Sequence, residues 1–327
     1  MCVKDAEAHS MPDKWAGLPK NVGERPVEPS GLRVSEGSVL VGDDPYREAL
    51  MAIKRILLPF CEAEGLVFVA EAAFKIGRSL SAQVRGLFAQ PSEGLLLLPD
   101  ESTPPEVILR KIQKIGRERA ERFNQGQEIF AACAERFPDV QAELVATDGA
   151  VREKVGSAAR LADITVLGSG SHSTRARWQD VRDGALFGSG RPVLLIPPTG
   201  IAIPSFERIV VAWKEGVEAA RAIAAAQPFL LSAKEVHLIT VGEGVELAGS
   251  LRDAEDYLQL HHAEVRSMTM PQSHGNVAET LMRKCEELGG ALLVMGAYSH
   301  WRWQERVFGG VTESLIRNTR VPVLMTH

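Results

Sequence analysis

The chain has 327 residues, 45% of them hydrophobic and 24% charged, with a formal net charge of −5. That length suits two domains, and the mildly acidic balance argues against nucleic acid or an anionic membrane as the main partner. No apolar run approaches the ~20 residues of a membrane span. The amino terminus has no apolar signal core, and Cys2, Cys61, Cys133 and Cys285 form no CxxC pair, so free thiols in the cytoplasm are expected.

Residues 1–50 differ from the rest. Pro12, Pro19, Pro26, Pro29 and Pro45 alternate with Gly, Lys, Glu and Asp, and no apolar period holds; such a segment buries too little to order itself and reads as a disordered tail. Met51 opens directly into the first strand, so it rivals Met1 as the natural start. Residues 53–60 form a short apolar run of strand length. A helix follows over 65–80, with Leu66, Val69, Ala73, Ile76 and Leu80 on one face, then a strand over 84–89. Pro104-Pro105 can open a helix, and Ile108, Ile112, Ile115, Phe123, Ile129 and Phe130 carry one long amphipathic pattern to Phe137. A strand over 140–147, a helix over 151–161 and a buried strand over 164–167 complete the run. After Gly168 comes a polar loop, then a short piece at 184–189 and the strand 193–196.

Pro197, Pro198, Gly200 and Pro204 make a linker, after which the order of elements repeats. Arg208-Ile-Val-Val-Ala-Trp213 matches Arg55-Ile-Leu-Leu-Pro-Phe60, helices and strands alternate again, and the chain closes on 321–326. The glycines that end the fourth strand of each copy, Gly168 and Gly296, are 128 positions apart, and the prolines before the closing strands, Pro192 and Pro322, are 130 apart. The opening strands are 153 apart, so the first copy is longer by about 23 residues, which the long helix absorbs. Apolar strands alternating with helices predict parallel sheets covered on both faces: two tandem open five-stranded α/β sheets, Rossmann-like, over residues 51–199 and 205–327.

Both copies carry Gly-x-x-Ser-His at a strand end, as Gly168…Ser171-His172 and Gly296…Ser299-His300. Ligands of open parallel sheets sit at such carboxyl ends, near a topological switch point, and glycines ahead of a helix let backbone N–H groups approach an anion. A tight turn kept by duplication explains the same pattern. Trp301, Arg302, Trp303 and Arg306 read either as stacking and anion contacts or as one packed tryptophan with a solvated arginine. His261, His262 and His274 lack metal-ligand spacing, so no metal is assigned. No nucleophile elbow or Walker loop occurs.

Over residues 51–327 the chain resembles tandem universal stress proteins, whose fold is adenine-nucleotide-alpha-hydrolase-like. Nucleotide-binding members of that family carry Gly-x-x-Gly, nine residues, then Gly-Ser or Gly-Thr. Gly296, the nine residues 300–308 and Gly309 fit; Ser299 stands where the second Gly belongs and Gly310 where the hydroxyl belongs. Ser299 adds a Cβ where close backbone approach is wanted, and Thr312 is a substitute hydroxyl or a helix-face residue. The family's Asp after the first strand is Cys61 in the first copy and Lys214 in the second, and neither accepts a hydrogen bond as a carboxylate does. The resemblance therefore implies a site at Gly296, Ser299, His300, Gly309, Gly310, Thr312 and Lys214 that takes ATP weakly, another anion, or nothing. The first copy, with sixteen residues between Ser171 and Gly188, is expected to bind no nucleotide. The expected role is a cytoplasmic stress-response binding or regulatory module rather than a turnover enzyme. The two domains are expected to pair within the chain through their closing strands, with a homodimer through other surfaces also open. A slow ATPase or nucleotidyl transferase, and a redox sensor at Cys61, are the alternatives.

Overall fold

The computed structural model describes residues 53–92, 104–170, 175–201, 206–242, 244–261, 264–271, 277–298 and 310–327. The tail over 1–50 lies outside the described residues, as do Ser171, His172, Ser299, His300, Trp301, Arg302, Trp303, Arg306 and Gly309.

The first half runs β1 (Arg55–Phe60), α1 (Leu66–Leu80), β2 (Gln83–Gln90), α2 (Pro105–Arg136), β3 (Ala142–Asp148), α3 (Val151–Arg160), β4 (Ile164–Gly168), α4 (Arg175–Gly188) and β5 (Val193–Ile196). The second runs β6 (Arg208–Ala212), α5 (Val217–Leu230), β7 (Glu235–Val241), α6 (Val245–Gln259), β8 (Val265–Met270), α7 (Val277–Glu287), β9 (Leu292–Gly296), α8 (Gly310–Asn318) and β10 (Val323–Thr326). The alternation of strand and helix is the one the apolar periods predict.

The two expected sheets are halves of one. A ten-stranded sheet has the order β3-β2-β1-β4-β5-β10-β9-β6-β7-β8. Every neighbouring pair is parallel except β5 and β10, which run antiparallel with Leu194 opposite Leu324, Val193 opposite Met325 and Leu195 opposite Val323. These residues are fully buried, because the neighbouring helices cover both faces. The strand alternation sends Leu194, Ile196 and Leu324 to the face of α1, α2, α5 and α6. Val193, Leu195, Val323 and Met325 go to the face of α3, α4, α7 and α8. Both apolar layers therefore run unbroken across the join. Each half reverses strand order between its first and fourth strands, at β1/β4 and at β6/β9, and these are the switch points where ligands bind in such sheets.

One departure from the sequence reading matters for function. The stretch after Gly168, expected as polar loop, is helical from Arg175. Helices α4 and α8 end 130 positions apart, at Gly188 and Asn318, the same offset as Pro192 and Pro322. Gly188 therefore corresponds to Asn318 and closes a helix; it is not the counterpart of Gly309. The glycine at 184 lets α4 cross α3 closely, since a Cβ there would sit 2.4 Å from the Arg152 carbonyl oxygen.

Helix α4 also carries the charge that ties the halves together. The Arg182 side chain is 2% exposed; it meets Asp183 at 2.7 Å and Glu313 of α8 at 3.2 Å, and it lies over the Trp178 ring at 5.5 Å. Beside it, Phe187 packs against Tyr298 and His327, each with ring centroids 5.0 Å away. A buried guanidinium is tolerated only while its carboxylates remain. Glu313→Gln is therefore expected to lower stability by about 3 kcal/mol in urea unfolding, since it removes one partner of a buried ion pair. Arg317→Met, which cuts an exposed bond to the same carboxylate, is expected to cost under about 1 kcal/mol.

Candidate functional site

In the second half, β6 ends at Ala212 beside Met295 of β9. The residues just beyond, Trp213 and Lys214 on one strand and Gly296 on the other, flank the switch point. Trp213 is turned away from it, its N–H donating to Ile239 O at 2.7 Å and its indole to Ser250 Oγ at 3.0 Å. Lys214 is exposed. A Cβ at Gly296 would lie 2.7 Å from the backbone of both Glu218 and Ala219 in the first turn of α5, so close packing of helix on strand accounts for this glycine without any ligand.

Past Gly296 the chain turns sharply. Tyr298 sits at φ 55°, a left-handed conformation unfavourable for a residue with a Cβ. Its N–H donates to Thr312 Oγ1 at 3.3 Å, and burial pushes its phenol up from the ordinary range. Thr312 is buried in α8, so its hydroxyl holds the start of the loop to the helix that ends it. Of the two roles open to Thr312, the structure adds a third. Gly310 differs from its neighbours. It is exposed, and among the described residues no atom lies within 4 Å of where its Cβ would stand. No described residue requires glycine there by packing. Gly296, Thr312, Gly310 and Lys214 thus share the carboxyl edge of β6 and β9. Ser299, His300 and Gly309 are outside the described residues.

The equivalent edge of the first half is closed. A cavity of about 40 Å³ remains at the ends of β1 and β4, lined by Phe60, Cys61, Glu62, Leu167, Trp178 and Val181 among others. It is too small for a nucleoside, because the amino-terminal extension of α4 brings Trp178 and Val181 into the space. Cys61 is buried, and burial first, then the Glu62 charge, pushes its thiol up to about 12. A redox sensor needs an exposed thiol of low pKa, so the Cys61 alternative does not fit this environment. Cys285 is likewise buried and pushed up to about 12, by burial and then Glu286.

Sequence reasoning missed the Tyr298–Thr312 tether and the plug at Trp178. Hydroxyl and tryptophan both stood in the sequence, but their partners are set by where α4 and α8 begin.

Comparison with known proteins gives a family match for the second half of the chain. Residues 205–327 match the profile of the universal stress protein family. A universal stress protein from Archaeoglobus fulgidus DSM 4304 is similar over 84% of this chain and 97% of its own, at 21% identity and a TM-score of 0.62. A functionally unknown protein from Pseudomonas aeruginosa PAO1 covers 85% of this chain and 94% of its own, at 14% identity and a TM-score of 0.48. A universal stress protein in complex with cAMP covers 38% of this chain and 98% of its own, at 21% identity and a TM-score of 0.33. Comparison with curated proteins gave no match. Among the described residues no helix is long and apolar enough to cross a membrane, and no group of His, Cys, Asp or Glu is arranged to hold a metal.

The thiol environments make a direct prediction. Iodoacetamide at pH 8 is expected to leave Cys61 and Cys285 unlabelled in the folded protein and to label both in urea, read by peptide mass mapping. The folded thiols stay neutral up to about 12, whereas an unfolded thiol ionises from 9.0. Their contribution to stability is therefore complete below pH 9.0 and is lost as pH rises toward 12. In the same way Thr312→Val, which strands the Tyr298 N–H, is expected to cost about 1–3 kcal/mol, with Thr312→Ser close to the parent.

Proposed function

We propose, starting from residues 205–327 as a universal stress protein domain, that the chain is a tandem binding or regulatory module. On this reading residues 51–199 and 205–327 are two domains behind a tail over 1–50, acting in the cytoplasm, and the second domain binds adenine nucleotides weakly. The paired domains stand in for a dimer of single domains, and a homodimer through other surfaces remains compatible with it. The observation that carries the nucleotide proposal is Gly310, exposed at the amino end of α8 with no described residue packed against its Cα. Backbone N–H groups at a helix start favour phosphate, and Lys214 at the end of β6 supplies a compact cation on the same edge. Ser299, His300 and Gly309, which are outside the described residues, complete the proposed site.

Turnover is not proposed. Phosphoryl transfer needs a carboxylate-held metal and a tightly formed phosphate loop. Lys214 occupies the place after the first strand where the family has a carboxylate, and Gly310 replaces the hydroxyl of the phosphate signature.

Isothermal titration with ATP, ADP and AMP, with and without Mg²⁺, tests this. Binding in the high micromolar range is expected, with ATP recovered unhydrolysed after overnight incubation. Gly310→Val is expected to weaken ATP at least tenfold while leaving the melting temperature unchanged, because the side chain meets phosphate but no protein atom. Lys214→Ala is expected to weaken ATP more than AMP. No heat at millimolar nucleotide would remove the nucleotide reading, and steady phosphate release would favour the ATPase alternative.

A further inference from the structure

The amino ends of the strands in the first half, opposite the edge where such sheets take ligands, border a groove of about 690 Å³. Four neighbouring strands supply its lining: Arg55 opens β1, Gln83 opens β2, Gln141 precedes β3 and Asp163 precedes β4. The carboxyl end of α1 adds Arg78 and Ser81. Small-molecule clefts span roughly 300–1,000 Å³, so this groove has the size of a ligand site. The cavity at the carboxyl ends of β1 and β4, about 40 Å³, does not.

The half-buried part of the lining is held by contacts of its own. Asp163 Oδ2 accepts the backbone N–H of Lys54 at 2.8 Å and that of Arg55 at 2.9 Å. The Arg55 guanidinium donates through Nε to Gln83 Oε1 at 3.4 Å and through Nη1 to Leu161 O at 3.2 Å. Both charges are thus oriented, while Asp163 Oδ1 and Arg55 Nη2 have no hydrogen-bond partner among the described residues. In the exposed part, Arg78 stands in the last turn of α1, where the helix dipole favours a cation, and lies over the Phe137 ring at 5.0 Å. Neither effect uses its N–H donors. Ser81 takes φ 50°, a left-handed position usually given to glycine, and so keeps a hydroxyl on the groove where the backbone favours no side chain. Lys54 and Asp139 are exposed on the same lining.

Charges of both signs therefore line one space, Lys54, Arg55 and Arg78 with Asp139 and Asp163, and among the described residues no two of these side chains form an ion pair. Fixed charges that do not neutralise each other match a molecule that carries both signs, because its charge-assisted hydrogen bonds replace water on each side at little cost in ordering. We propose that this groove binds a zwitterion of the size of a di- or tripeptide, with its carboxylate on Arg78 and Arg55 and its ammonium on Asp139 and Asp163. Capture of free chain ends by fixed polar groups is an established mode of peptide recognition. Leu161, 70% exposed, borders the groove and offers an apolar surface to a ligand side chain. The two carboxylates repel a phosphate chain entering the same space. The site lies at the amino ends of β1 to β4 and does not rest on the nucleotide reading of the second half.

The full chain at neutral pH is titrated with glycyl-leucine, read by calorimetry and by melting temperature. Beside it run N-acetyl-glycyl-leucine, which lacks the ammonium, and glycyl-leucine amide, which lacks the carboxylate. Saturable binding of the free dipeptide with a rise in melting temperature is expected, weakened at least tenfold in each blocked analogue. Arg78→Gln is expected to weaken the free dipeptide at least tenfold and to leave the amide unchanged. Asp139→Asn is expected to weaken the free dipeptide and to leave the acetylated analogue unchanged. Both residues are exposed, so the ligand-free melting temperature should stay level, and Gly310→Val should keep the whole response. The proposal is overturned by absence of binding to glycyl-leucine, by blocked analogues that bind as tightly as the free dipeptide, or by undiminished binding to the Arg78→Gln/Asp139→Asn double variant. Inorganic phosphate bound through Arg78 as tightly as the dipeptide overturns it equally, in favour of a simple anion site.

Discussion

Everything else in the molecule depends on the antiparallel pairing of β5 with β10. Each is a four-residue apolar strand at the edge of its own half, and a bare edge of that composition is a template for aggregation. Pairing Leu194 with Leu324 turns two edges into the centre of a ten-stranded sheet and makes both apolar layers continuous. It also dictates what must meet above and below. Helices α4 and α8, which precede the two strands, are brought side by side, and the polar groups on their facing sides need partners. Arg182 finds Glu313, Gly170 N–H finds Ile316 O at 3.1 Å, and Phe187 finds Tyr298 and His327. The join is apolar in the sheet and ionic in the helical layer, so it combines non-directional burial with a contact that fixes register.

The same join explains why the halves are not equivalent. Helix α8 has nine residues and starts at Gly310, whereas α4 has fourteen and starts at Arg175. With both helices ending at matched positions, the difference lies wholly at their amino ends, which is where the ligand edge is. In the second half the residues before Gly310 lie outside the described residues. In the first, an extra turn and more of helix brings Trp178 into the crevice and Arg177 to its rim. The long α2, also confined to the first half, adds Arg119 and Arg122 from the opposite side. The described parts of the two edges differ, although the strand order behind them is the same.

The fold was legible because its determinants are local and periodic: apolar strands of four to eight residues, amphipathic helices between them, and a 130-residue offset linking Pro192 to Pro322. The pairing of closing strands was legible for the same reason, since 193–196 and 321–325 are apolar throughout. Residues 175–183 were not. Five charges among nine residues read as loop, and the helix they form is stabilised by Glu313, 131 positions away from Arg182. No window of sequence contains that pair. Counting spacing from the start of the loop also matched Gly188 to Gly309, whereas counting from the closing strands matches it to Asn318. The contact of Arg122 with Gln90 was hidden likewise, because it forms only once α2 is laid across the strand ends.

Signature residues at a strand end thus answer two separate questions. Gly296 is required because the α5 backbone lies against it, and Thr312 because Tyr298 needs an acceptor in a left-handed turn; both requirements hold in the empty protein. Such residues report the fold, and they would be needed in a domain that binds nothing. A ligand is indicated only where a residue has no packing reason to be what it is. Gly310 meets that criterion sterically, as a glycine with space that any Cβ would fit. A duplicated sheet can separate at such residues because its strands are constrained by burial on both faces, while the residues at their carboxyl ends are constrained only by what they touch.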